Sequence, residues 1–280
     1  MKKLLACIDD SSYSVSICDH AAWAARRLDA SVELLHVIQR NEAVSARHDL
    51  SGAVGLGAKS ALLEELVAID EAEGKLARER GRALLAAAEA RLREDGVTEI
   101  TQAHRHGGIV ETVIEREADA DLVVMGKRGA SANFAKGHLG SKVERVVRES
   151  IRPVLVAARA FTPPRKGVIA FDGGPSARKA IEFASHSPLL GDMELHIVMA
   201  GTQGGTRQIY LDWAQAQIPT ATVKRLDGSA ENAICNYIAE TSPDILIMGA
   251  YGHSPLRTLI VGSTTTAMMR SCQIPVLLFR

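Results

Sequence analysis

The chain has 280 residues, long enough for two domains of ordinary size, and its 46% hydrophobic content gives each a substantial core. Its 33 basic residues balance 33 acidic ones, which argues against the broad cationic surface of a nucleic-acid binder. The 4 cysteines form no CxxC pair and no apolar run approaches membrane-spanning length, so buried thiols and a reducing, cytoplasmic setting are expected.

The first residues, Met-Lys-Lys-Leu-Leu-Ala-Cys-Ile, meet Asp9 and Asp10 too soon to form a signal core. Lys3–Asp9 reads instead as a strand, 14–28 as a helix with Val15, Cys18, Ala22 and Ala25 near helical spacing, and Ser31–Ile38 as a second strand. Residues 40–58 are rich in Gly, Ser and Ala and read as a loop, a candidate lid over a ligand crevice. Residues 60–94 favour a helix ending at Gly96, with Gly74 and Gly81 as candidate bend points. Thr98–Arg105 then predicts a strand, 109–118 a helix, 121–126 a strand, 141–149 a helix and Pro153–Ala158 a fifth strand.

The two prolines in Ala160-Phe-Thr-Pro-Pro-Arg-Lys mark a boundary, dividing the chain into domains at 1–160 and 166–280. The second half repeats the order: strands at Gly167–Asp172, Glu194–Ala200, Ala221–Leu226, Asp244–Gly249 and 275–279. Helices fall between them at 175–187, 205–216, 229–240 and 263–271. Strand–helix alternation, with strands such as Leu-Val-Val-Met that are apolar on both faces, predicts a parallel doubly wound sheet in each half.

The repeat is sharpest around a glycine-spaced loop. Ile245-Leu-Ile-Met248 leads into Gly249-Ala-Tyr-Gly252, and nine residues later comes Gly262-Ser263-Thr264. In the first half, Leu122-Val-Val-Met leads into Gly126-Lys-Arg-Gly129, and ten residues later comes Gly140-Ser141. Glycines let a backbone approach a ligand without a Cβ in the way, and a helix start presents unpaired N–H groups and positive dipole to an anion. Together they suit phosphate. Asp121 and Asp244, opening the two strands, share the offset of Gly126 and Gly249; between Asp9 and Asp172 the offset is roughly forty residues longer. The first half therefore carries an extra segment at about 40–95.

These residues resemble the universal stress proteins, whose nucleotide-binding members carry Gly-x2-Gly-x9-Gly-(Ser/Thr) after the fourth strand and an Asp ending the first. The resemblance covers nearly the whole chain and implies two tandem, Rossmann-like five-stranded sheets forming an internal pseudo-dimer through their fifth strands. It implies an adenine-nucleotide site, for ATP or ADP with Mg²⁺ as an option, at Asp172, Val198, Met248, Gly249, Gly252, Gly262, Ser263 and Thr264. Asp172 would lie near the adenosine and Val198 on the base or ribose side. The first-half counterparts are Asp9, Val37, Gly126, Gly129, Gly140 and Ser141. The intact nine-residue spacing ranks the second half as the tighter site.

Other chemistry finds less support. There is no GxxxxGK(S/T) loop, no GxGxxG after either first strand and no GxSxG elbow. His104 and His106 share a strand face and could chelate zinc, but no cysteine or carboxylate nearby completes a set with them or His138, so no metal site is assigned. His253 and Arg257, or Lys127 and Arg128, are candidate phosphate contacts. No catalytic residue is assigned; slow ATP hydrolysis or phosphotransfer, with Asp172 as the available carboxylate, is the enzymatic alternative. A nucleotide-independent scaffold with an unspecified protein partner is the third reading. Self-association stays open.

Overall fold

Along the first strand, β1 (Lys2–Cys7), side chains alternate between faces, and both faces are apolar. Leu4, Ala6 and Ile8 enter one core cluster; Leu5 and Cys7 enter a second on the opposite face. A strand buried on both sides needs helices above and below, and that arrangement is repeated through the chain. The computed structural model describes residues 2–39, 56–129, 140–201, 205–250 and 263–280, with 56–64, 205–207 and 263 as backbone only.

The first half continues with α1 (Ser14–Leu28), β2 (Ala30–Ile38), α2 (Leu56–Glu94), β3 (Ile100–His106), α3 (Ile109–Arg116), β4 (Leu122–Gly126), α4 (Ser141–Glu149) and β5 (Val154–Ala157). The second half has β6 (Lys166–Ala170), α5 (Pro175–His186), β7 (Glu194–Ala200), α6 (Gly205–Gln217), β8 (Thr222–Leu226), α7 (Ala230–Thr241), β9 (Ile245–Gly249), α8 (Ser263–Ser271) and β10 (Val276–Phe279). Each predicted element among the described residues is present, with ends moved by a residue or two except at the start of α2, which lies at Leu56, four residues before the predicted 60, so that 56–58 are helix where a loop was expected. At 117–119 the predicted end of α3 tightens into a 3-10 turn.

The two sheets are joined. All ten strands form one sheet in the order β3-β2-β1-β4-β5-β10-β9-β6-β7-β8. Within each half neighbouring strands are parallel. At the centre β5 and β10 pair antiparallel, Val156 opposite Val276 and Val154 opposite Leu278. The fifth strands are wholly buried, and pairing satisfies edge groups that would otherwise template aggregation. Both core clusters run across this seam: Leu155 and Leu277 share one, Val156 and Leu278 the other.

Two corrections concern the extra helix and the first-strand aspartates. Helix α2 runs unbroken through Gly74 and Gly81. Gly81 serves close packing: a Cβ there would lie 2.4 Å from His104 Nε2 and 2.7 Å from His36 Cδ2. The aspartates lie beyond their strands, because each carboxylate bonds local backbone in place of the ladder. Asp9 Oδ1 accepts from Ser11 N at 3.1 Å, and Asp172 Oδ1 from Gly174 N at 2.8 Å. Most of the predicted 40–58 loop, and with it the candidate lid, lies outside the described residues. All four cysteines are free thiols; Cys7, Cys18 and Cys272 are buried, and Cys235 is half-buried.

Lys127 ties the halves together from just after β4. Its amine is buried and donates to the carbonyl oxygens of Cys272 and Ile274, the latter at 3.1 Å. Burial pulls its pKa down to about 8. The unfolded chain keeps this proton up to the ordinary lysine range, so between the two values unfolding takes up a proton and stability rises with pH. We expect urea unfolding of wild type to gain about 1–2 kcal/mol relative to Lys127→Met between pH 7.5 and 9.5. Parallel pH profiles for the two proteins would remove Lys127 as the cause.

Candidate functional site

In an open α/β sheet the crevice forms beyond the carboxyl ends of the strands, where strand order reverses. In the first half β1 lies between β2 and β4, so the ends of these strands border one crevice. A cleft of about 430 Å³ opens there. Asp9, Val37, Gly126, Gly129, Gly140 and Ser141, all singled out from the sequence, line it together. Its size falls within the range of small-molecule sites.

The glycines hold this geometry by close approach. A Cβ on Gly126 would sit 2.8 Å from Tyr13 Cβ, so the strand end can lie against α1 only without one. A Cβ on Gly129 would sit 3.0 Å from Asp9 Oδ2, which places the loop backbone directly over the carboxylate. Gly140 donates its N–H to Lys127 O at 3.2 Å and forms the N-cap of α4 without a side-chain cap bond. Ser141, Lys142 and Val143, the first turn of α4, border the cleft. Backbone donors at such a helix start have no intrahelical acceptor and favour anions.

Basic groups ring the opening. Arg80 comes from α2, Arg128 from the glycine loop and Lys142 from α4, where its amine bonds the Gln39 side chain. Leu84 and Ala77 add an apolar wall from the same α2 face. His36 lines the floor, with Nδ1 bonded to Ile8 O at 2.8 Å. Cys7 also borders the cleft, but burial, with Asp9 and Glu33 adding to it, pushes its thiol up to about 12. It stays protonated and is no nucleophile at neutral pH.

Composition and spacing assigned none of Arg80, Leu84 and His36 to the crevice. The helix pattern of 60–94 was legible, but which of its faces meets the crevice depends on Gly81 seating the helix on His36 and His104. Burial lowers the His104 pKa, with His36, His106 and Arg82 acting in the same direction. Among the described residues no group of three or more His, Cys, Asp or Glu is arranged to hold a metal ion. Lys127, a candidate phosphate contact, points instead across the seam to Cys272 and Ile274.

The second half is described in part. Asp172 follows β6, Val198 is buried in β7, and Met248 and Gly249 end β9. Ser263 opens α8, with Thr264 next and half-buried. Gly252, Gly262, His253 and Arg257 lie outside the described residues, as does His138 of the first half. A Cβ on Gly249 would lie 2.6 Å from Ala177 N, so here the start of α5 packs directly on the strand end. Gly173 adopts a φ of +81° and would bring a Cβ within 2.3 Å of the Tyr210 ring. Arg178 lies over the Tyr210 and Trp213 rings, 5.3 and 4.4 Å from their centres, and bonds Gly173 O at 3.0 Å.

A model of the universal stress protein family matches residues 1–158 and 202–280. The chain belongs to that family. A universal stress protein of Synechocystis sp. is 36% identical over the full length of both chains. One from Mycobacterium tuberculosis is 26% identical over 61% of this chain and 65% of its own. Among solved structures, a universal stress protein of Archaeoglobus fulgidus superposes with a TM-score of 0.72 at 21% identity, covering 99% of this chain and 98% of its own. A further one from Pseudomonas aeruginosa gives 0.65 at 16%, covering 100% and 93%. The two structures share the fold. The family match omits 159–201, which includes Asp172 and Val198, although β6 and β7 take the same places in the sheet as β1 and β2.

The glycine contacts separate packing from ligand approach. Gly249→Ala forces a Cβ onto backbone and should lower stability by about 1–3 kcal/mol. Gly129→Ala meets only a carboxylate oxygen and should change stability by less than about 0.5 kcal/mol. Calorimetric melting of both variants checks the order, and equal losses would contradict it.

Proposed function

We propose that this universal stress protein binds an adenine nucleotide, ATP or ADP, and acts as a regulatory module in a cytoplasmic stress response, without turnover as its purpose. The two halves, 1–160 and 166–280, are read as its two domains. The observation that carries the reading is the convergence of six residues chosen from sequence on one cleft at the strand ends. Adenosine is assigned to the side of Asp9 and Val37, apolar at Val37 and Ile8. Phosphates are assigned to the Gly126–Gly129 loop, the start of α4 and the basic ring of Arg80, Arg128 and Lys142. Mg²⁺ would neutralise phosphate charge when bound there.

No helix among the described residues is long and apolar enough to cross a membrane. The Gly-x2-Gly-x9-Gly-(Ser/Thr) spacing still assigns a site to the second half, and assigns it the higher affinity. Its Tyr210, Trp213 and Arg178 give it a different wall from the Leu84 and Arg80 of the first half.

Native mass spectrometry of the purified protein should find ATP or ADP retained, and calorimetric titration should then resolve the sites. Gly129→Val should abolish most first-half binding, and Gly252→Val should remove the tighter component. Arg80→Ala should weaken ATP by about tenfold, the scale of one charge-assisted bond, and AMP far less. Failure of wild type to bind ATP or ADP at millimolar concentration would overturn the reading. A larger loss from Gly129→Val than from Gly252→Val would reverse the ranking alone.

A further inference from the structure

Helix α2 extends well beyond the part that the sheet needs. Gly81, Leu85, Ala88 and Leu92 are buried at helical spacing, and this stretch seats the helix. Between 65 and 80 no residue is buried. Ile69 is 43% exposed and Leu76 48%, and these two lie one heptad apart on the same face. That face is turned about 140° from the buried one, so the sheet of the same molecule does not cover it. The segment is about 24 Å long, and a helix presenting aliphatic side chains over that length owes its stability to whatever covers them.

The charges on this segment say what covers it. Glu64, Glu65, Asp70, Glu71 and Glu73 come first without an intervening base, followed by Lys75, Arg78, Arg80 and Arg82 with Glu79 alone among them. A parallel neighbour of the same sequence would set acid beside acid. Run antiparallel, the acidic block of one copy lies beside the basic block of the other. With Ile69 opposite the partner's Leu76, Glu65 falls opposite the partner's Arg80, and each contact occurs twice about a twofold axis. Glu65, Ile69, Leu76 and Arg80 all lie within one side of the helix at 100° per residue. A purely basic, acidic or lipid partner would match only one block.

We propose that residues 65–80 of α2 form a self-association surface whose occupant is the same segment of a second copy, packed antiparallel. The surface is separate from the seam between β5 and β10, which is internal to each chain. It does not require the cleft to take nucleotide; Arg80 also borders the cleft, so bound phosphate would compete with the partner's Glu65 for it, and the test is run without nucleotide. Its small size makes a weak, concentration-dependent dimer, and its paired charges make that dimer sensitive to salt.

Sedimentation velocity of the full chain, from low micromolar to a few hundred micromolar, tests this. At low salt the mass should rise to that of a dimer, and at about 1 M NaCl the association should weaken. Glu65→Arg and Arg80→Glu should each hold the protein monomeric, since each sets like charges opposite. The double variant should regain the dimer. Ile69→Asp should abolish it. Circular dichroism confirms that each variant is folded, as substitutions at exposed positions should be. A monomeric wild type throughout the range, single variants that still dimerise, or a double variant that fails to recover would each overturn the proposal.

Discussion

The antiparallel pairing of β5 with β10 is the contact on which the remaining structure depends. Each half ends in a short, fully apolar strand that a free five-stranded sheet would leave at its edge. Pairing removes both edges at once and joins the two halves through core clusters shared on either face of the sheet. It also sets direction. Strands within a half are parallel, so an antiparallel centre turns the carboxyl ends of the two halves to opposite ends of the sheet. The end of β4 then lies beside the approach to β10, which is why Lys127 can reach the carbonyl oxygens of Cys272 and Ile274.

Within each half the same local chemistry builds the crevice. A strand stops because an aspartate bonds its own turn, and a glycine lets the end of the fourth-position strand touch its neighbour. The walls differ between halves. Leu85, Ala88 and Leu92 of α2 match Leu211, Ala214 and Ile218 of α6 as buried positions. The residue before the first of these is Leu84 at the cleft in one half and Tyr210 against Gly173 in the other. The first-half cleft is therefore bordered by an aliphatic side chain of α2, whereas in the second half the Tyr210 and Trp213 rings of α6 lie beneath Arg178.

Much of this was legible in the chain. Apolar runs gave the strands, the glycine spacing located the fourth strand and the helix after it, and the two-copy pattern gave the tandem order. Asp9, Gly126 and Gly140 fell into one cleft because their positions follow from local chain direction at strand ends. What was not legible depends on packing between distant elements. Periodicity placed a helix at 60–94 but could not rotate it, and the rotation decides that Arg80 and Leu84 meet the crevice. Lys127 looked like a loop cation; its burial is a property of the seam, which no spacing within one half encodes. Gly74 and Gly81 suggested bends, yet at Gly81 the absent side chain makes room for two imidazoles.

Only eight residues separate the end of β5 from the start of β6, so the two halves meet within one chain. Two separate chains would carry every surface in duplicate, and the fused chain carries α2 once. Valency follows from that count. A particle with two self-pairing helices at opposite ends would link to neighbours at both, and the chain of contacts would have no natural stop. With a single such helix, pairing consumes the one available surface on each partner and growth ends at two copies. Fusion of the halves thus converts a surface that could seed an open filament into one that can only close.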